Sequence, residues 1–134
     1  MIYFDTNVLI YNTLNQDEEK YLLAEKLIKD ALKHDEFVIS SLAISEYIFT
    51  LSKLKIINEC KEHIDFYSKF CQFTFNKHDV LNAYQKCIKL NKCRNINDFI
   101  HLEMANKFCK KIITFDFDFK NLEKFYNIEI EIVK

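Results

Sequence analysis

Five acidic residues lie where the sequence passes between an apolar run and a helix. Asp5 directly follows the apolar run "IYF", and Asp116 and Asp118 directly follow the run "KIITF". Glu46 lies about one turn into the helix expected after "EFVIS", and Asp98 begins the helix that leads into "KIITF". Ligands of open α/β sheets gather beyond the carboxyl ends of the strands, so we expect these acids near one edge of a sheet.

Carboxylates that converge on one place need a partner. They repel one another and raise one another's pKa unless a cation neutralises them, and an isolated buried carboxylate is costly. Oxygen ligands without Cys or His favour Mg²⁺ or Mn²⁺. Because such an ion activates water and stabilises negative charge on a phosphoryl group, the predicted chemistry is hydrolysis of a phosphodiester.

Four of these acids also have an ordinary structural role available to them. Asp5 could cap the helix behind it, since Asp is a favoured N-cap residue. Glu46 alone could be a solvated helix residue, and Asp98 could complement the helix dipole from the first turn. A surface turn would equally accommodate Asp118. The chemical interpretation therefore depends on the acids occurring together.

Alternating strands and helices must position these side chains. Strands separated by helices imply parallel crossovers, so we expect a three-layer α/β/α fold with a central, mostly parallel sheet of four to five short strands. No linker or repeat interrupts the sequence, which predicts one domain over residues 1–134. The predicted strands are "IYF", "EFVIS", "QFTFN", "KIITF" and "IEIEIV", and the predicted helices start near residue 6 and cover 17–33, 42–55, 58–71, 79–90 and 98–110. The segments "NKCRNIN" and "DFDFKNLEKFYN" are expected to be loops, the second with a helical turn.

Composition sets broad limits on function. Of the 134 residues, 49% are hydrophobic and 29% are charged, which is typical of a soluble globular protein and not of a disordered one. The net charge of −1 excludes the general basic character of many nucleic-acid-binding proteins, but not a local basic surface. No apolar run approaches the ~18 residues that a membrane span needs, and no signal-type segment opens the chain. We therefore expect a cytoplasmic protein with no membrane partner.

Two further features of composition predict local structure. The sequence has no glycine and no proline. We expect asparagine to take the left-handed positions where periodic segments break, namely Asn15, Asn58, Asn76, Asn91 and Asn127. The five cysteines form no CxxC pair and no zinc-type cluster, so reduced, mostly buried thiols are expected.

Four stretches of sequence are familiar when taken together: "YFDTNVLIY", "SSLAISEYIF", "RNINDFIHLEMA" and "IITFDFDF". With them the chain resembles the PIN domain family, particularly the VapC-like toxins of toxin–antitoxin pairs. The first and last stretches are the most specific, because a strand-terminal DTN and a T-x-D-x-D-F sequence are weak alone and characteristic together. The resemblance covers almost the whole chain.

The resemblance assigns roles to the acids one by one. Asp5 matches the family's first metal-binding aspartate, Glu46 its glutamate on the third helix, and Asp98 the aspartate that opens the penultimate helix. Asp116 matches the acid after the fourth strand, and Asp118 is close enough to substitute for it or assist it. The resemblance implies Mg²⁺- or Mn²⁺-dependent endoribonuclease activity that leaves a 5′-phosphate and a 3′-hydroxyl. It also implies a structured RNA substrate, with tRNA among the candidates, a small antitoxin as inhibitor, and a homodimer.

Neighbouring residues are candidates for supporting roles. Thr6, Asn7 and Thr114 could hydrogen-bond the carboxylates or the waters of the ion. An acidic metal cluster that binds RNA needs nearby cations, and arginine makes bidentate phosphate contacts. Arg94 is the only arginine and comes four residues before Asp98. The candidates for RNA contact are Arg94, Lys92 and Lys120, although each could also be an ordinary solvated residue.

Other residues near the motifs are expected to be less specific. His101 lies one turn after Asp98 and could meet substrate, but an ordinary surface or half-buried histidine is the stronger expectation. Two departures from the family pattern, Cys109-Lys110-Lys111 in place of a glycine and Glu103-Met104 in place of small residues, predict altered helix packing and groove shape.

Other functions fit the sequence less well but stay open. A PIN fold that binds RNA or protein without cutting would retain the fold, although such members usually lose some of the acids. A PIN nuclease of RNA processing that is not a toxin would share the same site. A dehalogenase-like phosphatase would need an aspartate two residues after Asp5, where Asn7 stands, and a receiver domain would need an acidic pair at the first strand.

Overall fold

Five short parallel strands form the centre of the molecule. The computed structural model describes residues 1–134, and its strand order is β3-β2-β1-β4-β5, with every neighbouring pair parallel. The sheet prediction is confirmed, including its count of strands. The strands are β1 (Ile2–Phe4), β2 (Phe37–Ser40), β3 (Cys71–Phe73), β4 (Lys111–Thr114) and β5 (Glu129–Ile132).

Helices connect the strands and cover both faces of the sheet. The long prediction over 58–71 is wrong in part, because a 3₁₀ turn precedes a shorter helix and β3 begins at Cys71. The segment expected to be a polar loop also contains a 3₁₀ turn. The α-helices are α1 (Thr6–Thr13), α2 (Glu18–Lys33), α3 (Ser41–Lys53), α4 (Lys61–Ser68), α5 (Lys77–Lys89) and α6 (Ile96–Phe108), and the 3₁₀ segments are Ile57–Cys60, Cys93–Asn95 and Phe117–Phe125.

Two hydrophobic cores fill the spaces between the sheet and its helices. Because successive side chains of a strand point to opposite faces, Phe4 and Ile113 pack into one core with α1 to α4. Their neighbours Tyr3 and Ile112 pack into the other core with α5 and α6. A sheet buried on both faces is what parallel strands require, which explains why the strands read as continuous apolar runs.

Three helices end at a residue in the left-handed conformation. These residues are Asp35, Lys55 and Asn91, with φ of 57°, 61° and 52°. After Lys55, the N–H of Ile56 donates to the carbonyl of Leu51, which closes the helix end in the way usual for a glycine-terminated helix. Only Asn91 belongs to the predicted set of asparagines, so that prediction is wrong at its other four positions. Asn76 instead caps the start of α5.

The cysteine prediction is wrong for two of the five thiols. Cys87 on α5 and Cys93 in the 3₁₀ turn before α6 form a disulfide. The two cysteines are 6 residues apart in sequence, and the intervening turn brings the backbone N–H of Lys92 to the carbonyl of Cys87. The bridge therefore joins the end of α5 to the segment that leads into α6. Cys60 is buried and unpaired, and Cys71 and Cys109 are half-buried and unpaired.

Glu103 has a specific place in the packing of α6. Its carboxylate is buried and accepts hydrogen bonds from Lys86 Nζ at 2.5 Å and from the Tyr126 hydroxyl at 2.6 Å. Glu103 stands where small residues were expected, and Lys86 on α5 and Tyr126 after the last 3₁₀ segment donate hydrogen bonds to its carboxylate.

Candidate metal centre

A cavity of about 320 Å³ opens at the carboxyl ends of β1 and β4. Four of the five acids proposed from the sequence line it, and they come from four separate segments of the chain. Asp118 is exposed and does not line the cavity. The lining residues are Asp5, Thr6, Asn7, Ile10, Glu46, Phe49, Thr50, Asp98 and Asp116.

Asp5 lies at the end of β1 and caps α1. Its Oδ1 accepts a hydrogen bond from the backbone N–H of Thr6 at 2.8 Å. Its Oδ2 accepts one from the Thr114 hydroxyl at 2.7 Å and one from the Asn7 amide at 3.2 Å. The capping role and a place in the cavity are therefore combined in one buried carboxylate.

A hydrogen-bond network ties the end of β4 to α1. The Asn7 amide donates to the Thr114 hydroxyl oxygen at 3.1 Å and accepts from the backbone N–H of Phe115 at 3.1 Å. The N–H of Asp116 donates to the same hydroxyl oxygen at 3.0 Å. The N–H of Asp118 donates to Asp116 Oδ1 at 2.9 Å, so the turn after β4 orients the Asp116 carboxylate.

Glu46 reaches the cavity from the second turn of α3 and is held by three donors. Its Oε1 accepts from the Thr6 hydroxyl at 2.6 Å and lies 2.7 Å from His101 Nε2. Its Oε2 accepts from the Asn97 amide at 3.1 Å. Thr6 thus contacts the first acid through its backbone and the second through its side chain.

His101 is a residue of the site that the sequence interpretation missed. The expectation of a surface or half-buried histidine is wrong, because the ring is fully buried. Its Nε2 contacts Glu46 and lies 3.7 Å from Asp5 Oδ1, and its Nδ1 lies 2.6 Å from the Tyr3 hydroxyl. The available signal was its spacing, since residues three apart share a helix face and Asp98 is three residues earlier.

Comparison with known proteins assigns the family. The model of the PIN domain matches residues 2–125 of this chain. The chain belongs to the PIN domain family. Its fold is similar to a crystal structure of VapBC2 from Rickettsia felis bound to a DNA fragment from their promoter. The TM-score is 0.64 and the sequence identity is 19%, with 100% of both chains covered. No curated protein matches the sequence at a significant level.

The electrostatics of this PIN domain's cavity follow from burial and mutual repulsion. Burial raises the pKa of Asp5, and burial together with the charges of Asp5 and Asp116 raises the pKa of Asp98 to about 7. Burial also raises the pKa of Glu46, but the hydrogen bond and charge of His101, together with the hydrogen bonds from Thr6 and Asn97, outweigh burial and lower the pKa overall. Burial lowers the pKa of His101, and its bond to Glu46 and the charge of Asp5 outweigh that effect and raise it.

The donor set fits a divalent cation. No lysine or arginine pairs with any acid of the cavity, since every such ion pair in the chain lies elsewhere. His101 is the one potential cation in contact with the acids. The Asp98 carboxylate accepts no hydrogen bond, and a bound cation would relieve the repulsion that raises its pKa. Carboxylate oxygens at an open cavity suit Mg²⁺ or Mn²⁺.

The basic candidates lie outside the cavity lining of the PIN domain. Arg94 is exposed in the 3₁₀ turn just before α6, with Lys92 half-buried beside it. Lys120 is exposed in the 3₁₀ segment Phe117–Phe125 that follows Asp116. None of the three forms an ion pair. No helix of the chain combines the length and the apolar character needed to cross a membrane.

Proposed function

We propose that this PIN domain is a divalent-metal-dependent endoribonuclease that hydrolyses RNA phosphodiester bonds. The observation that carries the proposal is the convergence of four carboxylates on one cavity without a lysine or arginine to neutralise them. Acids arranged for structure alone are usually paired within the protein, whereas acids that await a cation are left facing an opening. Membership of a nuclease family agrees with this interpretation.

Each acid of the cavity has a role in this proposal. Asp5, Glu46, Asp98 and Asp116 would hold one or two Mg²⁺ or Mn²⁺ ions. When bound, such an ion lowers the pKa of water and stabilises negative charge on phosphoryl oxygens. The protein's own contribution is to fix the carboxylates of Asp5, Glu46 and Asp116 before the ion binds.

The supporting residues would keep the cavity rigid. Thr6, Asn7 and Thr114 hold the carboxylates of Asp5 and Glu46 through the bonds described above. Asp118 would act through its backbone N–H, which orients Asp116, while its exposed carboxylate does not line the cavity.

We propose that the substrate is RNA held partly by cations at the rim of the cavity. Arg94 and Lys92 precede the helix that carries Asp98, and Lys120 follows Asp116 closely in sequence. Positive side chains at these places would contact phosphates on either side of the scissile bond. Their loss should weaken RNA binding more than the cleavage of bound RNA.

The biological role that fits best is that of the toxin in a two-gene module. The four motifs resemble VapC-like toxins, and the fold is shared with VapBC2 of Rickettsia felis. On this proposal residues 1–134 form a single PIN domain that acts in the cytoplasm as a homodimer. A small antitoxin protein would inhibit it by covering the acidic cavity.

The proposal is tested with purified protein and a mixed RNA pool that includes tRNA. We expect Mn²⁺-dependent cleavage that EDTA stops and that Asp5→Asn abolishes. Asp65→Asn is the matched control, because Asp65 is an exposed acid on α4 that does not line the cavity. Expression of the wild type, but not of Asp5→Asn, should arrest growth.

Two results would contradict this function. RNA that is bound but not cut with Mn²⁺ or Mg²⁺ would favour a PIN fold that only binds. Cleavage by Asp5→Asn at the wild-type rate would show that the acidic cavity is not the active site. Cleavage without growth arrest would retain the nuclease and remove the toxin role.

A further inference from the structure

A buried chain of hydrogen bonds runs from the second strand to the acidic cavity. Ser40 Oγ lies 2.6 Å from the Tyr3 hydroxyl, which lies 2.6 Å from His101 Nδ1. The opposite ring nitrogen, Nε2, lies 2.7 Å from Glu46 Oε1. Ser40, Tyr3 and His101 are all fully buried, so water does not compete for these contacts.

Counting the donors in this series of hydrogen bonds fixes the direction in which each bond is donated. Ser40 Oγ accepts the backbone N–H of Ala43 at 3.1 Å, which leaves its own proton to donate. Its one remaining polar partner is the Tyr3 hydroxyl, so Tyr3 in turn donates to His101 Nδ1. Nδ1 then carries no proton, and the proton of the neutral ring lies on Nε2, where it donates to Glu46. The opposite direction would leave a buried hydroxyl proton of Ser40 without an acceptor.

The contact at Glu46 does not depend on the charge of the ring. A doubly protonated imidazole carries the same Nε2–H, so the donor to Oε1 is present in either state. An Nε2 that bears a proton has no free lone pair for a cation. His101 therefore contacts the cavity as a donor, even though its position beside Asp5 and Glu46 would suit a ligand.

We propose that His101 is a positioning residue, which holds the Glu46 carboxylate in its metal-binding orientation through Nε2–H while Tyr3 and Ser40 fix its tautomer. This inference rests on the metal site of the proposed function. Partners of this kind behind a metal ligand typically change metal affinity about 10- to 100-fold when they are removed. Thr6 and Asn97 contact the same carboxylate, so His101 shares the task with residues at the open side.

The experiment measures Mn²⁺ binding by calorimetry, without RNA, in variants shown to be folded by circular dichroism. His101→Phe keeps a ring but removes the donor, and we expect it to weaken Mn²⁺ binding about 10-fold or more. His101→Gln retains an amide donor at a similar reach and should recover most of the affinity. Tyr3→Phe removes only the hydroxyl that sets the tautomer and should give a smaller loss. A merely structural role would lower the melting temperature of these variants and leave the affinity of the folded protein unchanged.

A second measurement needs no variant. Electron spin echo envelope modulation of Mn²⁺ bound to the wild type should show no directly coordinated nitrogen. A directly coordinated nitrogen would make His101 a ligand and overturn the positioning role. Wild type that binds Mn²⁺ together with an unchanged affinity in His101→Phe would overturn this inference alone. Wild type that binds no Mn²⁺ would overturn the proposed function and this inference with it.

Discussion

Removing the charge of Asp98 should stabilise the metal-free protein while weakening its hold on the metal. In the absence of metal, Asp98 faces Asp5 and Asp116 without a hydrogen-bond donor, and its pKa rises to about 7. Asp98→Asn keeps the shape of the side chain and removes the repulsion. Because no hydrogen bond to this carboxylate is lost, we expect a net gain in the free energy of unfolding.

The size and pH range of the gain follow from linkage. The pKa of about 7 in the folded state lies above the ordinary value of 3.8 for the unfolded chain. Between these values the folded state holds a proton that the unfolded state has lost, so stability falls as the pH rises from about 4 to about 7. Each pH unit corresponds to about 1.4 kcal/mol, which gives an upper bound of roughly 4 kcal/mol. The carboxylate is partly exposed, so we expect about 2 kcal/mol after solvent screening.

The assay is urea unfolding in EDTA at pH 5 and pH 8, followed by circular dichroism. The advantage of Asp98→Asn over the wild type should be about two-fifths of its full value at pH 5 and close to its full value at pH 8. Saturating Mn²⁺ should reverse the order, because a ligand that binds the folded state stabilises the better binder more. Asp65→Asn, which removes an exposed acid, should show neither effect. Lower stability of metal-free Asp98→Asn at pH 8 would refute the account of the cavity as a cluster of repelling charges.

Three further changes test the scaffold by chemical denaturation. Glu103→Ala leaves Lys86 without its buried partner and should lower the free energy of unfolding by about 2–3 kcal/mol, whereas Glu103→Gln should lower it less. Cys93→Ser removes the disulfide that closes a short loop, so the free energy of unfolding should fall by about 2 kcal/mol under non-reducing conditions. If Cys87 of the wild type reacts with a thiol reagent before reduction, the disulfide is contradicted. Lys55→Gly removes the steric cost of a left-handed lysine, so the free energy of unfolding should rise by roughly 0.5–1 kcal/mol. A fall would show that the helix end is unstrained.

The sheet was predictable because the apolar runs that form its strands are short and continuous in sequence. Strands buried on both faces appear in sequence as short apolar runs, and an acid that follows such a run lies at the strand's carboxyl end whatever the rest of the chain does. This reasoning located Asp5 and Asp116 correctly at the cavity. It could not separate Asp116 from Asp118, because both follow the same strand. The distinction depends on the 3₁₀ segment, which buries Phe119 and leaves the side chain of Asp118 in solvent.

The role of His101 was not predictable from local sequence. Its burial depends on Tyr3, 98 residues away, and on Glu46, 55 residues away, so no window of sequence contains the contact. The helix ends were missed for a related reason. Left-handed residues occur where a helix must end so that the next element can begin. This requirement placed Asp35 before β2 and Lys55 before the 3₁₀ segment Ile57–Cys60 despite their weaker preference for the conformation.

The four cavity acids differ in how firmly the protein holds them, and that difference is itself informative about function. Asp5 accepts three hydrogen bonds, Glu46 also has three donors, and Asp116 accepts one from the backbone. Asp98 accepts none, and burial together with the charges of Asp5 and Asp116 raises its pKa to about 7. A purely structural cluster would gain by placing a lysine or a hydrophobic residue at position 98. An acid left without a partner beside three that are fixed in place is explained if the missing partner is a cation that binds from solution.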